Sequence, residues 1–299
     1  MVEPETYPSR PVRLVVPFGA GPTEALARWL AEGLSRRWGQ QVVVENHSGQ
    51  GGMAGTRLVA QAEPDGYTLL AANPGPLTVG PNVKTDLGYD PAGLVPIVLM
   101  VTVSGVVAAR PGLPVADMEE LVEHAREQPG LRYGSAGAGT VSHLAMEWLN
   151  CTAGMQMTHV PCEGLEAAVP GLASGKLDLL IVPLPEARPL AAEGRIRALA
   201  VTRRARSALW PELPTVEEAG IAPFESFSWN GLAAPAGTPD TVVFRVGNDV
   251  NRMLSTSEAD AFLGPRGYEI AGGSAAVFGA FMRSERAKWR EVAKLAGLV

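Results

Sequence analysis

Two segments of the sequence place glycines between a predicted strand and a predicted helix. The strand at 12–18 runs into Gly19–Gly21, and the strand at 131–133 runs into a loop that ends at Gly139. Backbone N–H groups at a helix start have no partner inside the helix and carry a partial positive charge. Glycine lets a ligand approach such a backbone closely. Two loops of this kind predict a site for an anion, with a carboxylate held by both.

The candidate ligand-binding residues lie in these loops, in the helix starts after them and near other strand ends. Hydroxyl groups in both loops would add donors to the backbone N–H groups. For a single loop, the alternative that the glycines only make a tight turn carries equal weight. The candidates are Phe18, Gly19, Ala20, Gly21, Thr23, Glu24, Asn73, Gly75, Ser135, Gly137, Ala138, Gly139, Thr140, His143, Val182 and Trp229.

Three of these candidates have a second interpretation that the sequence leaves open. His143 donates to a ligand, caps its own helix or fills the core. Glu24, in a first helical turn, either orients its loop or accepts from a ligand donor. Trp229 either walls a ligand site or belongs to the core.

The sequence offers little for catalysis. Ser142 and His143 are adjacent and cannot easily face each other as nucleophile and base, and no signal marks Cys162 as an activated thiol. No His or Cys spacing indicates a metal site, and we expect neither a metal nor a cofactor. The run Gly49–Gly55 lacks the GxGxxG spacing of a dinucleotide-binding loop. We therefore expect a binding protein, with an enzyme that uses His143 or Glu24 as acid or base as the alternative.

The composition is ordinary for a globular protein, and the sequence argues against a nucleic-acid partner and against a membrane-spanning helix. Of 299 residues, 46% are hydrophobic and 19% charged, and the net charge is −6. The basic residues are scattered, so no nucleic-acid partner is expected. The longest apolar run, at 95–109, falls short of the roughly 20 residues of a membrane helix. Because the first residues show no signal segment, the chain is either cytoplasmic or a mature form.

Short apolar runs alternate with amphipathic stretches along the whole chain, which predicts an α/β fold with parallel, doubly wound sheets. No flexible linker divides it, so we expect two domains joined by strands at 95–109 and 229–234. Residues 1–100 and 230–299 would form a first domain with both termini, and residues 101–229 an inserted second domain. The predicted strands are 12–18, 41–45, 67–72, 95–109, 131–133, 157–160, 177–182, 196–201, 228–234 and 269–270.

Short motifs along nearly the whole chain resemble the substrate-binding receptors of tripartite tricarboxylate transporters, the Bug family. Each motif alone is weak, but their common order and spacing are specific. The motifs are Tyr7-Pro8-Ser9-Arg10-Pro11-Val12-Arg13, Val15-Val16-Pro17-Phe18, Val44-Glu45-Asn46, Pro64-Asp65-Gly66-Tyr67-Thr68-Leu69-Leu70, Tyr133-Gly134-Ser135-Ala136-Gly137, Ser142-His143-Leu144, His159-Val160-Pro161, Leu199-Ala200-Val201-Thr202, Leu213-Pro214-Thr215-Val216 and Ala234-Pro235-Ala236-Gly237-Thr238-Pro239.

The resemblance implies the fold of a type II periplasmic binding protein, in which two doubly wound domains surround a hinged ligand cleft. It implies a small carboxylate held by the two glycine loops, without a cofactor, and delivery of this solute to membrane permease subunits. The expected protein is a periplasmic or extracytoplasmic monomer whose signal peptide has been removed. A ligand sensor for a signalling partner is the alternative.

Some positions depart from the family pattern. The first loop is one residue short, because Gly21 leads directly to Pro22, and Glu24 stands where relatives carry aspartate. Cys162-Glu163 replaces an aromatic and a basic residue, which argues against a ligand with many negative charges. Val182-Pro183 replaces Asp-Asn. These changes bear on the ligand rather than on the fold.

The replacement at Val182-Pro183 leads to an expectation about the ligand's chemistry. In relatives that bind amino acids, an acidic residue after this strand pairs with the ligand's ammonium group. An unpaired buried ammonium costs several kcal/mol. We therefore expect a mono- or dicarboxylate without an amino group, unless Glu186 or Glu24 takes the place of the missing acid.

Overall fold

The computed structural model describes residues 7–84, 86–162 and 164–299, so Glu163 lies outside the described residues. Every predicted strand overlaps an observed one. The strands are β1 (Val12–Val16), β2 (Val42–Asn46), β3 (Thr68–Ala72), β4 (Leu94–Ala109), β5 (Arg132–Ser135), β6 (Thr158–Pro161), β7 (Leu179–Pro183), β8 (Arg197–Val201), β9 (Phe227–Pro235) and β10 (Glu269–Ile270). The helices are α1 (Pro22–Trp38), α2 (Met53–Ala60), α3 (Met118–Glu127), α4 (Val141–Ala153), α5 (Leu165–Ala173), α6 (Leu184–Ala192), α7 (Asp240–Leu254), α8 (Ser257–Leu263) and α9 (Ala275–Leu295).

The chain divides into two compact units. The polypeptide passes from unit 1 to unit 2 within β4, and it returns within β9. Continuous strands therefore connect the units, and no flexible linker is needed. Unit 1 comprises the described residues up to Thr102, Trp229–Gly264 and Tyr268–Lys288, and unit 2 comprises Val103–Ser228, Pro265–Gly267 and Trp289–Val299.

The C-terminal segment Trp289–Val299 departs from the expected division, which placed both termini in one domain. It belongs to unit 2, where the Trp289 ring meets the Trp148 ring edge-on at a centroid distance of 6.4 Å. The Cys151 thiol lies 3.7 Å from the carbonyl oxygen of Leu295. Both contacts involve α4, which is distant in sequence, and hydrophobic periodicity carries no information about such partners.

Unit 1 is built on three parallel strands. β1 lies in the middle, with Val12 opposite Val42 of β2 and Arg13 opposite Thr68 of β3. Because crossovers between parallel strands are right-handed, this order puts α1 and α2 on opposite faces, which is the predicted doubly wound arrangement. β9 adds to β3 in the antiparallel direction, so the sheet is mixed rather than purely parallel.

Unit 2 repeats this strand order. β5 lies between β6 and β7 and pairs with both in parallel, and β4 adds to β7 in the antiparallel direction. In each unit the central strand leads into a glycine loop and a helix. The carboxyl ends of the three parallel strands gather at one edge of the sheet. The two glycine loops therefore occupy equivalent positions in their own units.

Each unit has its own apolar core, which fixes the strand ends that carry the loops. In unit 1, α1 buries Leu26, Leu30 and Leu34, and their spacing places them on one helical stripe. In unit 2, Leu172 of α5 and Leu180 of β7 belong to the core. No helix among the described residues is long and apolar enough to cross a membrane.

Candidate functional site

The first glycine loop joins β1 to α1 in unit 1, and α1 starts without a side-chain cap. Pro22 fixes the first helical position and has no N–H, while Gly21 adopts φ 155°. Ala25 N–H donates to Gly21 O at 3.0 Å, the first hydrogen bond of the helix. Among the described residues, no group accepts from the backbone N–H groups of Phe18, Gly19, Ala20, Gly21, Thr23 and Glu24.

These open donors make the loop suitable for an anion. They lie at the positive end of α1, where negative charge is stabilised. Gly19 and Ala20 are exposed, so the loop is accessible within its unit. The loop that is one residue short therefore still offers the N–H groups of residues 18–21, and Thr23 and Glu24 add two more after Pro22.

Glu24 forms an ion pair with Arg28 within α1 rather than a hydrogen bond with an open N–H group of the loop. Arg28 Nε donates to Glu24 Oε1 at 2.9 Å, and the Glu24 side chain is only 16% exposed. The helix dipole also stabilises a carboxylate in the first turn. The negative charge of Glu24 is thus compensated next to the anion-binding loop.

Two further loops meet the first glycine loop at the strand ends of unit 1. Asn46 Nδ2, at the end of β2, donates to Phe18 O at 2.9 Å. The Phe18 ring covers Gly52, where an added Cβ would lie 2.8 Å from the ring. Gly75 follows β3, and a Cβ added to it would lie 3.3 Å from the carbonyl oxygen of Gly51. The structure therefore brings the predicted residues Phe18 and Gly75 into one loop cluster.

Asn73 and the run Gly49–Gly52 complete this cluster. Asn73 Oδ1 accepts from Gly75 N–H at 3.3 Å and so shapes the loop after β3. Sequence reasoning compared the Gly49–Gly52 run only with nucleotide-binding spacings and did not include it in the site. Its position after a predicted strand was the signal that could have found it.

Replacing Gly52 by alanine is expected to destabilise unit 1 by about 1–3 kcal/mol. Gly52 has φ 91°, and the new Cβ would push the Phe18 ring away. Urea unfolding would measure the loss. Gly39→Ala is the matched control, because Gly39 has φ 65° but no atom within 4 Å of an added Cβ. Equal losses in both variants would show that the Phe18 contact contributes nothing.

The second glycine loop, between β5 and α4 in unit 2, is held by its own side chains. The hydroxyl of Ser135 accepts from Gly137 N–H at 3.1 Å. His143 Nδ1 accepts from Gly139 N–H at 3.2 Å. The two glycines have φ angles of 123° and 78°, which favour glycine over other residues. Ser135 and His143 therefore set the shape of this loop.

Thr140 caps α4, and its hydroxyl accepts from His143 N–H at 3.4 Å. The hydroxyl groups of Ser135 and Thr140, expected to donate to a ligand, thus serve the loop itself. Among the described residues, nothing accepts from the N–H groups of Ala138, Val141 and Ser142. These three N–H groups are donors that the described residues leave open at this loop.

A cluster of aromatic and titratable side chains lies next to this loop. The rings of His143 and His159 stack at a centroid distance of 3.9 Å, and Tyr133 stacks on His159 at 5.0 Å. The Tyr133 hydroxyl donates to a carboxylate oxygen of Glu147. Burial and the adjacent His159 ring lower the pKa of His143 to about 4. The neutral ring is the form that can accept from Gly139 N–H.

Ser135 and His159 form a contact that sequence reasoning missed. Ser135 Oγ lies 2.7 Å from His159 Nε2, although 24 positions separate the residues. Ser135 is 0% exposed, whereas a nucleophile must reach its substrate. We therefore assign this contact to the framework of the loop. No three His, Cys, Asp or Glu side chains of the described chain form a metal-binding group.

Two predicted ligand-binding residues are fully buried. Val182 is 0% exposed and belongs to the apolar core of unit 2. Trp229 is also 0% exposed, and its ring packs edge-on against Phe278 at 5.4 Å and Phe281 at 5.8 Å. Neighbouring elements cover both side chains, but Trp229 Nε1 has no hydrogen-bond partner among the described residues, and the ligand contacts of both residues stay predictions.

Glu186 lies in the first turn of α6, directly after β7. Its Oε2 atom is buried and has no hydrogen-bond partner among the described residues. Burial raises the pKa of this carboxyl group, since the charged form loses hydration. The raised pKa weakens Glu186 as a replacement for an ionised acid near a ligand ammonium group.

Comparisons with known proteins agree with this fold. A sequence model of the tripartite tricarboxylate transporter family receptor matches residues 26–298. R. palustris Rpa4515, solved with adipate, is 36% identical with a TM-score of 0.90 and covers 97% of this chain and 98% of its own. Periplasmic binding protein BugD is 34% identical with a TM-score of 0.86, covering 98% and 99%. MatC from Rhodopseudomonas palustris, solved with malate, is 29% identical with a TM-score of 0.86, covering 96% and 99%.

These relatives match nearly the full length of the chain and share its two-unit α/β fold. The predicted fold class and the predicted Bug-family relationship are confirmed. The family and the structural neighbours are solute-binding proteins rather than enzymes. The chain belongs to the tripartite tricarboxylate transporter receptor family.

Proposed function

We propose that this chain is an extracytoplasmic, monomeric receptor that captures a small mono- or dicarboxylate and delivers it to permease subunits. The observation that carries the proposal is the set of open N–H groups at residues 18–21, 23 and 24 in unit 1. The open N–H groups of Ala138, Val141 and Ser142 supply a second set in unit 2. Hydrogen bonds from backbone N–H groups to a charged carboxylate are stronger than those to neutral acceptors.

The family supports the remaining parts of the proposal. The matching family consists of receptors for tripartite tricarboxylate transporters, and BugD is described as a periplasmic binding protein. A receptor of this kind works outside the cytoplasm and passes its solute to a membrane partner. This chain has the length and the fold for the same task.

Several observations favour a ligand without an amino group. Pro183, at the end of β7, offers neither a charge nor an N–H. Glu186 is shifted toward its neutral form by burial, and Glu24 is paired with Arg28. An ammonium group would therefore lack a free ionised partner among these three residues. Adipate and malate, named in the structures of two relatives, are dicarboxylates without an amino group.

Isothermal titration calorimetry with matched pairs of ligands tests this proposal. Succinate, malate or adipate is expected to bind in the micromolar range, and aspartate and glutamate at least tenfold more weakly. A ligand at a hundred times its Kd should add about 2.7 kcal/mol to the free energy of unfolding. Micromolar binding of aspartate without a response to succinate would overturn the amino-group proposal, and no binding of any carboxylate would overturn the receptor proposal.

A further inference from the structure

Helix α7 of unit 1 exposes a large aromatic side chain that the fold does not use. Phe244 is 74% exposed, more than any other large hydrophobic side chain among the described residues. The buried stripe of α7 consists of Val242, Val243, Val246 and Val250. Phe244 lies off this stripe, so folding of the unit does not explain an apolar residue here.

An open pocket of about 520 Å³ lies on the same helix. Phe244, Asn248 and Arg252 follow one another at intervals of one helical turn, which places them on a common face of α7. Phe244 therefore lies one helical turn before Asn248, which lines the pocket. The pocket is lined by Arg37, Trp38, Arg245, Asn248, Asp249 and Arg252.

The pocket carries excess positive charge in a chain whose net charge is −6. Its one carboxylate, Asp249, is already engaged, because Arg37 Nε donates to it at 2.6 Å and Trp38 Nε1 at 2.8 Å. Arg252 is exposed and forms no ion pair with any described residue. An incoming carboxylate would therefore meet a guanidinium group that is not yet paired.

We infer that Phe244 and this arginine pocket form a docking surface for an acidic segment of a protein partner. Arginine and large aromatic side chains dominate the binding energy of protein interfaces. The arginines would pair with acidic side chains of the segment, and Phe244 would be buried against an apolar one. This inference rests on the proposed function, in which the partner is the permease.

Uptake by spheroplasts tests the surface directly. Spheroplasts of a strain that carries the permease but lacks this receptor are supplied with purified receptor and a labelled carboxylate that it binds. Uptake is recorded against receptor concentration for the wild type, Phe244→Ser and Arg252→Glu. The variants are expected to keep the ligand Kd within twofold and to need at least tenfold more receptor for half-maximal uptake. Added salt should weaken wild-type docking, since it screens exposed charges.

Matched controls come from α9 of the same unit. Val277 is 58% exposed and Arg283 is exposed, so Val277→Ser and Arg283→Glu repeat the two chemical changes elsewhere. These controls should behave as the wild type. Unchanged half-maximal concentrations for Phe244→Ser and Arg252→Glu would overturn the inference.

Two other outcomes are distinguishable from these. Wild-type self-association in analytical ultracentrifugation that Phe244→Ser abolishes would assign the surface to a second copy of the chain, and it would overturn the permease partner. Wild-type receptor that binds the carboxylate but supports no uptake would overturn the proposed delivery function itself, and the docking inference with it.

Discussion

Replacing Gly19 by aspartate is expected to weaken carboxylate binding at least about 100-fold without unfolding the protein. A Cβ at Gly19 meets no atom within 4 Å, and its backbone lies outside the left-handed region. The new carboxylate would lie among the open N–H groups of residues 18–21, 23 and 24. Two like charges about 4 Å apart repel by about 4 kcal/mol at an effective dielectric constant of about 20. Ligand affinity should therefore fall at least about 100-fold in calorimetry.

Gly19→Asn is the control, because its side chain has nearly the same shape without the charge. It should lose less than tenfold in affinity, and both variants should keep the unfolding temperature of the wild type in the absence of ligand. Equal losses for Asp and Asn would show that crowding, and not an anion at this loop, explains the effect. Full binding by Gly19→Asp would remove the loop from the site.

The second large effect concerns acid pH. The pKa of His143 is lowered from 6.5 to about 4 by burial and by the adjacent His159 ring. Between these values the unfolded chain binds a proton that the folded chain does not, so the free energy of unfolding falls as the pH decreases from 6.5 to 4. The loss from this residue amounts to about 3 kcal/mol at most. Burial also lowers the pKa of His159, which adds a loss of the same sign.

Carboxyl groups with lowered pKa values change the free energy of unfolding at lower pH than the histidines do, so the two contributions can be measured separately. Asp178, which accepts from Arg110 at 2.8 Å, has a lowered pKa. Its stabilising contribution is present above the usual pKa of 3.8 and is lost only as the pH falls further. Glu186 is the exception, because burial raises its pKa from 4.5 and its contribution to the free energy of unfolding grows as the pH falls, opposite in sign to that of the two histidines.

Urea unfolding from pH 4 to 8 would measure this dependence, and substitutions of His143 separate its two roles. His143→Asn keeps an acceptor near the position of Nδ1 for Gly139 N–H but cannot titrate, so it should flatten the pH dependence. His143→Leu removes the acceptor and should cost about 1–3 kcal/mol at every pH. The same slope between pH 4 and 6.5 in wild type and His143→Asn would contradict the assignment to His143.

The amino-acid sequence by itself determined the elements and the position of both glycine loops. The strand at 12–18 and its counterpart at 131–133 are marked by apolar runs that end in glycine, and both features are local. The family motifs identified the fold and the receptor family. That the two loops face one another stays a prediction, which a structure with a bound carboxylate would test.

The tertiary structure decided which side chains of those segments are available. In the sequence Trp229 suits a core or a ligand site equally and Val182 is a ligand-binding candidate, whereas both side chains are 0% exposed in the folded chain. From the sequence, the hydroxyl of Ser135 is predicted to donate to a ligand. In the structure, Ser135 Oγ lies 2.7 Å from Nε2 of His159 in β6. Such contacts join residues that are distant in the chain, and local periodicity depends only on neighbours. The sequence therefore determined where the open backbone donors lie, and long-range packing determined which side-chain groups remain free beside them.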